Sequence, residues 1–302
     1  MKIAILGAGG VGGYYGGTLA RAGHVVTMLA RGEQLTALKR RGIEIRTPDE
    51  KFLALVVATD DPESLPQADL AIVAVKCYSL DEILPAARAV AARGATILPL
   101  LNGVEAAERL VEGGVPRGQV LGGLTSVSVA RVGPGVVERR SPFQKVVVGE
   151  LDGGLSDRAT SVAEAFRSAG AETSASPDIV VELWKKLAFI ASMAAACGLA
   201  RSPIGAVRNA LHGRLLLERA VGEVCAVARA RAIPVPSGQE EATLQFIGSL
   251  ADAIKPSFLL DLESGGRTEL DDLCGAVSRL GRLSGVATPI HDTATAALGV
   301  AR

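Results

Sequence analysis

A cluster of glycines near the start of the chain limits the possible folds more than any other segment. Residues 2–6 read Lys-Ile-Ala-Ile-Leu, and the glycines follow at once. This order predicts a strand, a tight turn and a helix, in which Gly7 permits the turn, Gly9 lets a phosphate approach the backbone, and Gly12 lets the helix pack against the strand. A plain glycine turn is the alternative, since 35 of the 302 residues are glycine. The residues predicted to bind the pyrophosphate of a dinucleotide are Gly7, Ala8, Gly9, Gly10, Val11 and Gly12.

The end of the second predicted strand, residues 25–29, indicates which dinucleotide binds. NAD sites usually carry an acidic residue there, which binds the ribose hydroxyls. This chain has Ala30-Arg31 instead. Because a guanidinium suits a 2′-phosphate, Arg31 predicts NADPH rather than NADH. The alternative is that Arg31 is a solvated loop charge.

Two polar residues follow apolar runs that predict neighbouring parallel strands. Lys76 follows residues 70–75, and Asn102 comes shortly after residues 95–100. Ligands of open α/β sheets bind outside the carboxyl ends of the strands. We therefore expect Lys76 and Asn102 to contact the cofactor, although a lysine at this point can also simply end a strand.

The alternation of strands and helices predicts an α/β fold, with a Rossmann-type dinucleotide-binding domain over residues 1–173. Residues 43–45 and 53–57 are predicted to form a hairpin-type pair. Residues 127–129 and 146–148 are predicted to extend the main sheet.

After Pro177 the pattern becomes helical, which predicts a C-terminal all-helical domain over residues 174–302 for substrate binding and dimerisation. The helices are predicted over residues 179–200, 215–232, 240–253 and 270–284.

The charge balance and the few cysteines restrict the partners. Lys plus Arg and Asp plus Glu each number 32, so nothing favours nucleic acid or an anionic membrane as partner, and zero net charge is compatible with a homodimer. Four cysteines without CxxC spacing and three histidines predict neither a disulfide framework nor a metal site. No apolar run approaches the roughly 18 residues of a membrane span. These features predict a cytoplasmic protein.

One lysine interrupts an apolar helical stripe. Lys185 has an ordinary i,i+3 partner in Glu182, whereas Lys186 is the only charged residue on its face. A lysine in this position either extends its ammonium to water or is partly buried and donates a proton near neutral pH. The other members of the stripe are Ile179, Leu183, Ile190, Met193 and Cys197.

Taken in order and spacing, these motifs resemble the ketopantoate reductase (2-dehydropantoate 2-reductase) family over nearly the whole chain. The matching segments are residues 7–12, Arg31, Val75-Lys76, Leu101-Asn102-Gly103, residues 182–187, Ser257 with Asp261, and residues 268–271. The resemblance implies a Rossmann domain joined to an all-helical domain, with the active site in the cleft between them.

The resemblance also implies roles for individual residues. Lys186 matches the catalytic lysine, which donates a proton to the carbonyl oxygen of the substrate while NADPH delivers hydride to the carbon. Glu269 matches the glutamate that hydrogen-bonds the substrate and helps to set the protonation of the lysine. Ser257 matches the serine that contacts the substrate carboxylate. Lys76 and Asn102 match residues at the nicotinamide end of the cofactor, where Asn102 also contacts the substrate.

Four positions depart from the family pattern, since apolar residues or cysteine replace asparagines that bind the substrate. They are Ile190, Ala194, Ile204 and Cys274. Ile190 and Ala194 are therefore predicted to line a more apolar substrate site. The predicted reaction is the NADPH-dependent reduction of a 2-keto acid, either 2-dehydropantoate in pantothenate biosynthesis or a more apolar 2-keto acid or carbonyl compound. The alternatives are a non-catalytic NADP-binding protein and a dehydrogenase of alcohols or amines.

Overall fold

The computed structural model describes residues 1–300, and the chain divides into two compact units. The first unit contains Met1–Leu101 and Glu105–Ile179, and the second contains Asn102–Val104 and the chain from Val180 onward. The short segment Asn102–Val104 thus belongs to the second unit although it lies between two parts of the first. The domain ranges 1–173 and 174–302 remain a prediction of where the functional domains begin and end.

The first unit contains the strands and five helices. The strands are β1 (Lys2–Leu6), β2 (Val25–Leu29), β3 (Ile43–Arg46), β4 (Lys51–Ala54), β5 (Val57–Thr59), β6 (Leu70–Val73), β7 (Thr96–Pro99), β8 (Leu121–Ser126), β9 (Val129–Gly133), β10 (Val136–Arg139), β11 (Lys145–Glu150) and β12 (Glu172–Ala175). The helices are α1 (Gly10–Arg21), α2 (Gly32–Arg41), α3 (Leu80–Ala92), α4 (Ala106–Glu112) and α5 (Asp157–Ser168).

The main sheet is parallel, in the order β5-β2-β1-β6-β7. Alternate residues of β1 pack into different cores, since Ile3 and Ile5 join one apolar cluster and Ala4 and Leu6 join another. Helices therefore cover both faces, as buried parallel strands require. In the register of the sheet, Leu6 lies opposite both Leu29 of β2 and Val73 of β6. The carboxyl ends of these three strands therefore lie side by side, and the predicted Rossmann-type fold class is confirmed.

The outer strands differ from the prediction in two places. The hairpin-type pair forms between β3 and β4, but β4 ends at Ala54, and Val57 instead begins β5, which runs parallel to β2. The prediction of one strand over 53–57 is therefore wrong.

The segments predicted to extend the main sheet lie in two smaller sheets. Val129 begins β9, which belongs to a separate sheet of order β4-β3-β10-β9, so this part of the prediction is wrong. Residues 146–148 lie in β11 of another separate sheet, of order β12-β11-β8, so the prediction is wrong for this segment too. A single bridge from Val120, just before β8, reaches Ile97 of β7. The sequence pattern also missed β12.

The second unit is helical, as predicted. Its helices are α6 (Ile179–Ala200, whose first residue belongs to the first unit), α7 (Ile204–Asn209), α8 (Gly213–Ala230), α9 (Gln239–Ser249), α10 (Ser257–Glu263), α11 (Cys274–Leu283) and α12 (Pro289–Gly299). The prediction for α6 has the observed bounds, whereas the short helices α7 and α10 and the terminal α12 were not predicted. Helix α9 ends early because Leu250 is extended (φ −69°, ψ 142°). The predicted helix 270–284 begins only at Cys274, and a turn precedes it.

A buried carboxylate on α8 holds the first turn of α12. Glu223 accepts hydrogen bonds from the backbone N–H groups of Ile290 (2.8 Å) and His291 (3.1 Å) and lies 2.6 Å from His291 Nδ1. The N–H groups of a first helical turn have no partner within their own helix, so Glu223 supplies one from outside.

Among residues 1–300, no helix combines the length and the apolar composition that crossing a bilayer requires.

Candidate active site

The glycine turn between β1 and α1 has the geometry that a bound phosphate requires. Gly7 has φ +109°, and a Cβ built on it would lie 2.5 Å from Val75 Cγ1. A Cβ on Gly12 would lie 2.0 Å from the Gly7 carbonyl oxygen, so any side chain there would force the helix away from the strand. A Cβ on Gly9, in contrast, meets no atom within 4 Å. Neighbouring atoms therefore surround the backbone at Gly7 and Gly12, whereas the space beside Gly9 is free for a ligand.

The start of α1 adds a favourable charge to this turn. Helix α1 begins at Gly10, and Gly9 is its N-cap. No side chain caps the helix, and its first turn contains no acidic residue. The first N–H groups of α1 and the positive end of the helix dipole thus suit an anion. Gln34 fixes the loop because its Nε2 donates to the Ala8 carbonyl at 2.9 Å. These features fit the diphosphate of a dinucleotide.

Two cations lie at the same edge of the sheet. Arg31 is the N-cap of α2, and its side chain is 73% exposed, with Nη1 3.9 Å from Glu82 Oε2. Lys76 follows β6, is half-buried, and precedes a 3₁₀ turn at Cys77–Ser79. Since β2 and β6 flank β1, Arg31, Lys76 and the glycine turn follow adjacent strands. The prediction that they bind one cofactor stays a prediction.

In the second unit, a close backbone approach brings two distant segments together. Gly103 has φ +88°, and a Cβ on it would lie 2.9 Å from the carbonyl oxygen of Asp272. Asp272 belongs to the turn that begins at Glu269, whose carbonyl accepts from the N–H groups of Asp272 (3.2 Å) and Leu273 (3.0 Å). A larger residue at 103 would separate the segments. Gly103 therefore places Asn102 beside the turn that carries Glu269.

Asn102 connects the predicted catalytic pair. Lys186 Nζ donates to Asn102 Oδ1 at 3.0 Å, and Asn102 Nδ2 donates to Glu269 Oε2 at 3.0 Å. Glu269 is only 5% exposed, whereas Lys186 and Asn102 are half-buried. Both ends of the amide thus meet a group of complementary charge, which fixes its orientation. An ammonium, an amide and a buried carboxylate form one network in the second unit.

The network settles one alternative that the sequence left open and adds a contact that it did not predict. Lys186 does not simply extend to water, because it is half-buried and bound to Asn102. Lys185 pairs with Glu182 at 2.8 Å, as the spacing predicted. The link through Asn102 was missed, since this residue was expected only at the cofactor and the substrate.

The remaining predicted substrate residues differ in exposure. Ser257 is exposed at the start of α10, and within residues 1–300 its hydroxyl has no hydrogen-bond partner. Ile190 is half-buried one turn after Lys186. Three further positions, Ala194, Ile204 and Cys274, are 0% exposed in the apolar core of the second unit. The expected apolar surface is therefore present at Ile190, whereas the other three side chains fill the core.

Comparison with known proteins gives the same assignment for both parts of the chain. The family model described as ketopantoate reductase PanE/ApbA matches residues 3–153, and the model of its C-terminal part matches residues 178–301. The chain belongs to the ketopantoate reductase family. The predicted family is confirmed, and membership makes the chain an oxidoreductase of CH–OH groups that uses a nicotinamide dinucleotide.

Individual relatives cover the chain from end to end. An uncharacterized oxidoreductase, YkpB, of Bacillus subtilis (strain 168) is 32% identical over 99% of this chain and 98% of its own length. A 2-dehydropantoate 2-reductase of Halobacterium salinarum is 35% identical over 97% of this chain and 96% of its own. A structure of D-mandelate dehydrogenase in complex with NADH is 25% identical, with a TM-score of 0.87 and coverage of 99% and 98% of the two chains. The relatives and structural neighbours of this chain therefore differ in the substrate that they are named for.

Proposed function

We propose that the chain is an NADPH-dependent reductase of a 2-keto acid, with 2-dehydropantoate as the first candidate substrate and pantoate as the product. The observation that carries this proposal is the network of Lys186, Asn102 and Glu269. Pantothenate biosynthesis is the corresponding pathway. A cytoplasmic location and a homodimer remain predictions.

When bound, the reduced nicotinamide supplies a hydride to the carbonyl carbon of the substrate. Negative charge then develops on the carbonyl oxygen, where an ammonium group stabilises it and donates a proton. Lys186 is the residue for this task, because Asn102 holds its Nζ at 3.0 Å and so reduces the motion of a long side chain. The resulting amine recovers its proton from solvent.

Asn102 and Glu269 act on the lysine in different ways. The amide oxygen orients the ammonium without adding a charge, and the Glu269 carboxylate holds the amide in that orientation through Nδ2 at 3.0 Å. The carboxylate is buried, so its charge is poorly screened and its hydrogen bond to the amide is strengthened. Glu269 also retains the predicted role of a hydrogen-bond acceptor for the substrate.

The other predicted residues complete the proposal. Residues 7–12 and the start of α1 hold the diphosphate, and Arg31 holds the 2′-phosphate. Lys76 binds near the nicotinamide. Ser257 contacts the substrate carboxylate, and Ile190 adjoins its side chain, whereas Ala194 is fully buried and supports the helix behind them.

The proposal is tested by the oxidation of NADPH in the presence of a panel of 2-keto acids. Lys186→Ala is expected to lose turnover and to keep its affinity for NADPH, since the ammonium acts on the substrate. Lys185→Ala is the matched control, because it removes the neighbouring lysine, which pairs with Glu182. Normal turnover by Lys186→Ala would disprove the assigned role.

A more apolar substrate is the second candidate, and the half-buried Ile190 favours it. Four residues separate Ile190 from Lys186, which puts both side chains on one helix face. An aryl 2-keto acid such as phenylglyoxylate, the oxidation product of mandelate, is the appropriate probe. A kcat/KM for phenylglyoxylate above that for 2-dehydropantoate would support the second candidate, and the reverse order would support the first.

A further inference from the structure

A carboxylate lies beside the arginine that is proposed to bind the 2′-phosphate. Glu82 is in the first turn of α3, its side chain is 64% exposed, and its Oε2 is 3.9 Å from Arg31 Nη1. Arg31 and Glu82 both belong to the first unit. Arg31 is the N-cap of α2, which follows β2, and Glu82 is on α3, which follows β6. Because β2 and β6 flank β1, the pair lies at the edge of the sheet where the cofactor is proposed to bind.

Further acidic residues adjoin both members of this pair in the sequence. Asp81, the preceding residue on α3, already pairs with Arg109, whose Nη2 is 3.0 Å from Asp81 Oδ1. On the other helix, the first turn of α2 carries Glu33, which adds a second exposed negative charge close to Arg31 in sequence. Glu82 is therefore the acidic group that the structure places in contact with Arg31.

We propose that Glu82 is a specificity-determining residue that weakens the preference of this site for NADPH over NADH. The inference rests on the proposed binding of the 2′-phosphate by Arg31. A phosphate that binds Arg31 carries about two negative charges near neutral pH and comes within a few ångströms of the Glu82 carboxylate. NADH has a hydroxyl group at this position, and a carboxylate can accept its hydrogen bond.

The size of the effect follows from the exposure of both side chains. A dianion and a carboxylate about 6 Å apart in water repel each other by an amount equal to about tenfold in affinity. Ions at physiological strength screen charges over about 8 Å, which reduces the effect to about threefold. Glu82 thus lowers the affinity for NADPH relative to NADH, but by too little to make NADH the preferred cofactor.

The experiment measures the Kd of NADPH and of NADH for the full chain by fluorescence titration, at about 20 mM and about 200 mM salt. Glu82→Gln is expected to bind NADPH about three- to tenfold more tightly at low salt, with a smaller gain at high salt and no gain for NADH. Glu241→Gln removes an equal charge from an exposed position on α9 and is expected to leave the ratio of the two Kd values unchanged.

A second variant separates this inference from the proposed function. Arg31→Ala is expected to weaken NADPH binding and to leave NADH binding unchanged. If Arg31→Ala does so while Glu82→Gln leaves the Kd ratio at its original value, the inference about Glu82 is overturned and NADPH binding by Arg31 stands. If Arg31→Ala changes neither cofactor, the assignment of Arg31 fails, and the inference fails with it.

Discussion

Replacing Asn102 by aspartate tests the network with a minimal change of shape. The substitution exchanges the amide NH2 for an oxygen and keeps the oxygen that accepts from Lys186. The donor that now lies 3.0 Å from Glu269 Oε2 becomes a second carboxylate oxygen at the same distance. Two carboxylates this close do not both stay ionised, so the pair takes up a proton.

The magnitude follows from the contacts that are lost. A hydrogen bond to a charged group contributes about 1.5–3 kcal/mol, and Glu269 is too buried for water to replace the donor, so we expect a loss of about 2 kcal/mol of unfolding free energy. The new carboxylate also binds the Lys186 proton more tightly and makes the ammonium a poorer acid. Since general acid catalysis contributes at least about 100-fold, we expect kcat to fall by about that factor.

The sign of the pH dependence is a further check. A carboxyl that holds its proton more tightly in the folded state contributes most stability below its unfolded pKa of about 4 and loses that contribution as the pH rises through its folded value. Asn102→Asp is therefore expected to be destabilised less at about pH 5 than at about pH 8.

Urea unfolding and kcat profiles of the wild type and the variant over this pH range measure both effects. Asn209→Asp, at the exposed end of α7, is the matched control and is expected to change neither. Wild-type kcat in Asn102→Asp, together with a stability loss independent of pH, would refute the reasoning.

Three further predictions concern the rest of the chain. Glu223→Gln disrupts the buried anchor of α12 and is expected to cost about 2–4 kcal/mol in urea unfolding, unlike Glu218→Gln on the exposed side of α8. Gly12→Ala is expected to lose the native circular dichroism spectrum, because its Cβ would lie 2.0 Å from the Gly7 carbonyl oxygen, whereas Gly9→Ala, where no atom lies within 4 Å of the Cβ, keeps the spectrum and binds the cofactor more weakly. The four cysteines are buried, and burial raises the pKa of three thiols to about 12, so they should react with a thiol reagent only upon unfolding.

The parts of the fold that the sequence predicted correctly are those whose signal is local. The glycine turn, β1 and α1 lie within about twenty consecutive residues, and neighbouring atoms leave no room for a Cβ at Gly7 or Gly12. Helix α6 was predicted with its observed bounds because it is long and apolar over twenty-two residues. The two smaller sheets were not predicted correctly. In one of them β10 pairs with β3, which places Val136 opposite Glu44, and neither short strand carries a sequence signal that indicates its partner.

The residues of the candidate site were predicted one by one, but their network was not, because its contacts join segments far apart in the sequence. Lys186 was conspicuous as a charge on an apolar stripe, yet its partner Asn102 lies 84 residues earlier, and Glu269 lies 167 residues after Asn102. Gly103 is the only local signal, because an Asn-Gly pair after a strand is typical of a tight turn with positive φ. A turn alone does not indicate which segment it approaches. The amide nevertheless suits this position better than a carboxylate or an ammonium would. Its oxygen accepts from the Lys186 ammonium and its NH2 group donates to the Glu269 carboxylate, so it forms both hydrogen bonds and adds no charge of its own to a partly buried site.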